Sequence, residues 1–364
     1  MNAILSPAQH VLTFAQGLRG GGVESAQLRL ARGWIAAGRR VTLLIGSTAG
    51  PLAAELPEGL DILELNSTHY PDVLRALPGI VRARRPDILF CPGNFYTSMA
   101  AWARFRLGRD CPPIVAKMSN ALDRADKGWL TAFGNRLWLR LHGRFIDRFV
   151  AMTPAMARAT RAATGVTAGR ISVIPNPPVQ PPPGAAPPPL PYGRFILGVG
   201  RLEPQKRWER LIDAFAALDA PGLSLVILGE GSQRAALESQ IAVLGLADRV
   251  SMPGHATDPG PAFARAALVA LTSEFEGVPG ALREALAAGT PVVTTDSTVA
   301  IREIVSDPSL GSVVPRGDGA ALRAALAYWL APGRERPAPV PLPGANACAD
   351  YLALFDELVA ARQP

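Results

Sequence analysis

Ten prolines fall between residues 175 and 191, in the stretch IPNPPVQPPPGAAPPPLP that begins at Ile174. Proline has a fixed φ and no amide hydrogen, so this segment forms neither a helix nor an inner strand. It reads as a semi-rigid linker at about 3.1 Å per residue, and it cuts the 364-residue chain into two comparable blocks. In the first block the apolar runs HVLTFAQ, RVTLLIG, LDILEL, DILFCPG, PIVAKMS, RFVAMT and ISVIP are separated by helical patterns such as VESAQLRLARGWIAAG, VLRALPGIVRARR and AMARATRAATG, with further helices near 97–107 and 128–142. In the second, RFILGVG, LSLVILG, RVSMPG, LVALTS and PVVTT alternate with ERLIDAFAAL, QRAALESQIAVLG, AFARA and ALREALAAG. Continuous β-rich runs separated by helices imply parallel sheets covered on both faces. The expected fold class is therefore α/β, with two Rossmann-like doubly wound domains facing across a cleft and ligands bound beyond the carboxyl ends of the strands. The expected boundaries are 1–175, a linker at 176–191, a second domain at 192–343 and a closing helix within 344–364. In that last stretch Tyr351, Leu352, Leu354, Phe355, Leu358 and Val359 recur at helical spacing.

Several function classes are disfavoured by what the chain lacks. Cys91, Cys111 and Cys348 are scattered, which supports neither a zinc ribbon nor a disulfide framework. The four histidines have no metal-ligand spacing, so no protein-held metal is expected. No run approaches about 18 apolar residues, and the start lacks a basic region and cleavage site, so a cytoplasmic protein is expected. Residues 1–178 carry 22 Lys+Arg against 11 Asp+Glu, a net +11, whereas 179–364 carry 15 against 19, a net −4. A basic first half suits an anionic membrane surface or a phosphate-linked acceptor. Nucleic acid is disfavoured, because no basic run with interleaved aromatics and no nucleic-acid module is present.

The stretch SEFEGVPGALREALAAGTPVV, residues 273–293, carries the densest chemistry. Gly277, Pro279 and Gly280 keep Glu276 in a loop, Pro279 suits the start of a helix and Gly289 its end. Glu284 then lies one turn inside, and the amides of 280–282 are unpaired. This is either an ordinary helix start with acids favoured by the dipole, or an anion site flanked by two carboxylates able to accept hydrogen bonds from sugar and ribose hydroxyls. In FILGVGRLEPQK, Arg201 and Lys206 occupy the loop after a strand, where guanidinium and ammonium can reach phosphate oxygens or simply be solvated. A helix is expected to start near Lys206. GVGRLE lacks the third glycine of a dinucleotide fingerprint. In LRGGGVE, Gly21 and Gly22 either let backbone approach a ligand or make a plain turn. LGEGS, with Gly231, ends another strand.

Taken together and in this order, GGVE, GRLEPQK, LGEGS and SEFEGVPGALREALAAGTPVV resemble the family 4 glycosyltransferases of the GT-B fold, over nearly the whole chain. The resemblance implies retaining, metal-independent transfer of a sugar from a UDP- or GDP-sugar to a cell-envelope glycan or lipid-linked acceptor held mainly by the first domain. No cofactor is implied; the nucleotide diphosphate-sugar is the donor substrate. Arg201 and Lys206 would neutralise the departing diphosphate, and Glu284 would bind the ribose. Glu276, with the backbone of Gly277, Val278, Gly280 and Ala281, would hold the transferred sugar. Gly21 and Gly22 would admit phosphates and acceptor, and Gly231 and Gly254 belong with the donor-binding positions. Many relatives have a histidine in the loop that here reads Lys117, Met118, Ser119, Asn120; Ser119 and Asn120 either hydrogen-bond the sugar in its stead or form a turn.

The pattern KGWLTAFGNRLWLRLHGRF, residues 127–145, groups Trp129, Phe133, Leu137, Trp138 and Leu141 with Arg136, Arg140 and Arg144. A basic amphipathic helix of this kind lies in a membrane interface or turns its apolar face to the core. The first alternative implies peripheral attachment to the inner face of the plasma membrane. Two other functions fit the same architecture: a nucleotide-sugar epimerase, or a non-catalytic partner subunit that binds anionic lipid.

Overall fold

The computed structural model describes residues 7–18, 20–122, 129–181 and 184–362, with the backbone only at 129–130. The first six residues, the start of the basic helix at 127–128 and two prolines of the linker lie outside the described residues. The chain divides into two compact units, residues 1–179 with 343–364 and residues 180–342.

The first unit runs β1 (His10–Gly17), α1 (Gly22–Ala36), β2 (Arg40–Ser47), β3 (Asp61–Glu64), α2 (Tyr70–Arg84), β4 (Ile88–Cys91), α3 (Thr97–Leu107), β5 (Ile114–Met118), α4 (Trp129–Leu141), β6 (Arg148–Ala151), α5 (Pro154–Thr164) and β7 (Ile171–Val173). Its strands form one parallel sheet in the order β3-β2-β1-β4-β5-β6-β7. Successive side chains of a strand point to opposite faces, and both faces are buried here. Leu12, Phe14, Leu89, Cys91, Ala116 and Met118 enter one core with Leu77 and Met99, while Val11, Ile88, Phe90 and Val115 enter another with Leu30 and Trp34.

The second unit runs β8 (Phe195–Val199), α6 (Trp208–Ala216), β9 (Ser224–Leu228), α7 (Arg234–Val243), β10 (Val250–Gly254), α8 (Gly260–Arg265), β11 (Leu268–Leu271), α9 (Gly280–Ala287), β12 (Val292–Thr295), α10 (Ile301–Ile304), β13 (Gly311–Val314) and α11 (Gly319–Leu330). Its parallel order is β10-β9-β8-β11-β12-β13 around a single core. Three details differ from the sequence reading. β13, α10 and α11 were not anticipated: GSVV is a short edge strand, IREI is a single helical turn, and AALRAALAYWL is apolar nearly all round, so its helical period is faint. The helix expected near Lys206 starts at Trp208, after a tight turn at Pro204–Lys206. Lys117 and Met118 belong to β5 and not to the loop that follows it.

The last helix, α12 (Ala347–Ala360), belongs to the first unit. It lies on α1, where Trp34 meets Phe90, Tyr351 and Phe355 in edge-to-face contacts with centroids 5.1, 5.7 and 5.1 Å apart. The approach is close: a Cβ on Gly33 would stand 2.2 Å from the Cys348 sulfur. Asp356 secures the join by accepting from the Ala8 amide at 2.7 Å and pairing with Arg39 at 3.1 Å. Truncating a buried tryptophan removes transfer energy and leaves a cavity. Trp34→Ala is expected to cost about 3–5 kcal/mol in the urea unfolding of the first unit, with the transition of the second unit unmoved.

Candidate functional site

In an open parallel sheet, adjacent strands whose connections run in opposite directions leave a crevice beyond their carboxyl ends. In the second unit that reversal falls between β8 and β11. Lys206 follows β8 and Glu276 follows β11, and they meet there: Lys206 Nζ donates to Glu276 Oε1 at 2.6 Å, with both side chains largely buried. The same oxygen accepts from Ser273 Oγ at 2.7 Å, and the Glu276 amide donates to Ser297 O at 3.0 Å. An ammonium has three donors, and among the described residues one is taken by Glu276.

The backbone around Lys206 is built for this placement. Gly200 has φ +155°, and a Cβ there would lie 3.2 Å from Lys206 Nζ, so the missing side chain makes room for the amine over the strand end. Arg207 adopts a left-handed conformation, φ +54°, which is costly for a residue with a Cβ. Thr272 Oγ1, at the end of β11, lies 3.1 Å from Lys206 O and 2.9 Å from Arg207 O and bonds them in place. Gln205 adds a second tie, donating from Nε2 to Phe275 O at 2.6 Å and accepting from the Glu274 amide at 2.8 Å. Thr272, Ser273 and Gln205 were missed from sequence, because a hydroxyl or amide side chain carries no pattern of its own before its partner is known.

Other expected positions fall along the same edge of this sheet. Glu284 sits one turn inside α9, and its Oε1 lies 3.3 Å from where a Cβ on Gly280 would stand, over the first turn of the helix. Gly277 is buried, its carbonyl accepting from Thr298 Oγ1 at 2.8 Å, while Val278 and Ala281 rest partly on the core. Arg201 is exposed, and its carbonyl accepts from Trp208 Nε1 at 3.0 Å. Gly231 packs against the Leu202 backbone, where a Cβ would fall 2.4 Å from the carbonyl oxygen. Gly254 ends β10 with φ +100° and accepts from the Gly229 amide at 2.8 Å.

The first unit has its own reversal, between β1 and β4. Gly21 and Gly22 follow β1 and open α1, which has no side-chain cap. The Glu24 carboxylate folds back over Gly21, while around Gly22 a Cβ would meet nothing within 4 Å. Ser119 and Asn120, after β5, are held by Asn94: its Oδ1 accepts from Ser119 Oγ at 3.3 Å and from the Asn120 amide at 3.0 Å. Lys117, on the strand face that α1 covers, is 1% exposed. Burial, with Arg29 adding to it and Glu24 opposing, brings its ammonium down from the usual lysine range to about 7.

Two doubly wound parallel-sheet units, one with a cation–carboxylate pair at its switch point, define a two-domain, Rossmann-like class of α/β protein. Family models agree: residues 21–177 match the glycosyl transferase 4-like domain and residues 191–338 the glycosyl transferases group 1. The chain belongs to the family 4 glycosyltransferases and has the GT-B fold. An exopolysaccharide phosphotransferase of Streptomyces coelicolor is 35% identical over 191 residues, 52% of this chain and 20% of that protein. The N-acetylgalactosamine-N,N'-diacetylbacillosaminyl-diphospho-undecaprenol 4-alpha-N-acetylgalactosaminyltransferase of Campylobacter jejuni is 39% identical over 121 residues, 33% of each chain. The alignments thus span a fifth to a third of these curated relatives. Anabaena HepE, solved in complex with UDP-glucose, superposes with a TM-score of 0.70 at 20% identity, over 97% of this chain and 98% of that one.

Lys117 generates a prediction on stability. Between pH 7 and the ordinary lysine range the unfolded chain carries a proton on this amine that the native chain has shed, so stability contributed by this group rises with pH across that window. Lys117→Met is expected to stabilise the first unit at pH 7 and to flatten that rise, as read from urea midpoints between pH 6.5 and 10.

Proposed function

We propose that the protein transfers a sugar from a nucleoside diphosphate-sugar, UDP- or GDP-linked, to a cell-envelope glycan or lipid-linked acceptor, with retention of anomeric configuration and without a divalent cation. The Lys206–Glu276 pair at the switch point carries this reading. As the sugar–phosphate bond breaks, charge grows on the departing diphosphate, and a cation already fixed in place stabilises that charge without reorganising. Lys206 and Arg201 take that role. The first-turn amides of α9 add the positive end of a helix dipole, Glu276 and the backbone of 277–281 hold the sugar, and Glu284 accepts from the ribose hydroxyls. Gly21 and Gly22 admit the donor phosphates and the acceptor, Ser119 and Asn120 hydrogen-bond the transferred sugar, and Gly231 and Gly254 shape the donor loops. The UDP-glucose bound to HepE and the diphospho-undecaprenol in the name of the Campylobacter relative support the donor and acceptor classes.

Peripheral attachment to an anionic membrane belongs to the same proposal. Among the described residues no helix is long and apolar enough to cross a membrane. On α4, Trp138, Leu139 and Leu141 turn inward, but Phe133 and Leu137 are 65% and 58% exposed, one turn apart and beside exposed Arg136 and Arg140. Apolar side chains rimmed by arginine suit a headgroup boundary.

Four outcomes are expected. In a thermal-shift panel of nucleotides, UDP or GDP at about 100 Kd adds roughly 2.7 kcal/mol, with or without chelator. Lys206→Ala and Glu284→Ala each slow donor hydrolysis by about 10²- to 10³-fold with the fold intact, and NMR of the freshly released sugar shows the anomer of the donor. Unchanged hydrolysis in both variants would sink the reading, and an epimer formed from donor alone would assign an epimerase instead. Phe133→Ser with Leu137→Ser is expected to abolish sedimentation with phosphatidylglycerol vesicles; retained binding would remove α4 from the membrane surface.

A further inference from the structure

Phe95 is 62% exposed in the loop between β4 and α3, at the strand reversal of the first unit. An exposed aromatic at the carboxyl edge of a parallel sheet calls for an explanation, because that edge is where such sheets bind ligands. The ring is not loose. It meets Tyr70 and Tyr96 edge to face, with centroids 5.3 and 5.2 Å away. Both tyrosines are anchored: the Tyr70 hydroxyl lies 2.5 Å from Ser98 Oγ and donates to Phe95 O at 3.4 Å, and Tyr96 OH accepts from the Gln16 amide at 3.2 Å. Asn94, next in the chain, is the residue that ties down Ser119 and Asn120.

The surroundings select the chemistry of the occupant. Residues 91–99 carry no charge, and the facing loop, NSTHY at 66–70, supplies hydroxyls, an amide and one histidine. No arginine or lysine lies in either segment, in contrast to the arginine-rimmed pair on α4. A fixed apolar ring among neutral hydrogen-bonding groups suits a flat ligand with one apolar face and a polar rim. A hexopyranose is such a ligand: its axial C–H groups meet the negative face of an aromatic ring while its hydroxyls reach outward. We infer that Phe95 is a stacking platform for a hexopyranose ring of the acceptor, which makes it a specificity-determining residue on the acceptor side. The word acceptor rests on the transfer reading above; the sugar contact itself does not.

The test uses the full chain and saturation-transfer NMR with a panel of methyl glucosides, galactosides, mannosides and N-acetylhexosaminides, beside the UDP and GDP thermal shift. In the wild type at least one glycoside is expected to receive saturation on the C–H groups of one ring face. Phe95→Ala should weaken that signal by about fivefold or more, Phe95→Tyr should keep it, and the nucleotide shift should be the same in all three. Undiminished signal in Phe95→Ala, or no signal from any glycoside in the wild type, overturns the inference. So does a loss of vesicle binding in Phe95→Ala with the glycoside signal retained, which would assign the ring to membrane. A missing nucleotide shift in the wild type would instead overturn the transfer reading and leave the glycoside result standing.

Discussion

The ammonium of Lys206, held 2.6 Å from the Glu276 carboxylate, is the interaction around which the second unit is organised. Taking both charges largely out of water costs several kcal/mol per ion, repaid only when geometry and further hydrogen bonds are good. The fold supplies both. Gly200 clears space, Thr272 fixes the left-handed turn at Arg207, and Ser273 shares the carboxylate oxygen. A pair maintained this carefully, at the one place where the strand connections diverge, is costly as mere scaffolding and useful as a preset electrostatic site.

The first unit places its chemistry by the same topological rule but with different groups. Its switch point gathers glycine backbone, an asparagine clasp and an aromatic ring, and Lys117 beside it is buried deeply enough to bring its ammonium down to about 7. Residues 1–178 nonetheless carry the positive net charge. The arginines responsible are spread over helices such as α4, where they border exposed apolar side chains and suit a surface more than a pocket.

Much of the fold was legible because its signals are local. Apolar runs such as TLLIG and SLVILG are long enough to identify buried parallel strands, and the proline stretch marks the divide. GSVV and the α11 segment were invisible for local reasons too: one is a four-residue edge strand, the other a helix with little polar contrast. Lys117 was misplaced into a loop since a lysine ordinarily ends a strand, and only the cover of α1 shows that it is inside one. Of the site, Glu276, Lys206 and Glu284 were readable from their glycine- and proline-marked loops; Thr272, Ser273 and Gln205 were not, as hydroxyls and amides carry no pattern until their partners are known.

By itself the sequence determined that the chain makes two doubly wound α/β domains, that their loops carry glycine, arginine, lysine and glutamate after strand ends, and that these motifs belong to one enzyme family. Those properties follow from short-range periodicity and residue chemistry. Tertiary structure alone decided that residues 70 positions apart share a hydrogen bond, that the last helix returns to Trp34 in the first unit, and that Phe95 stands exposed on two anchored tyrosines. Such contacts depend on strand order and side-chain packing, and neither is encoded by any segment taken alone.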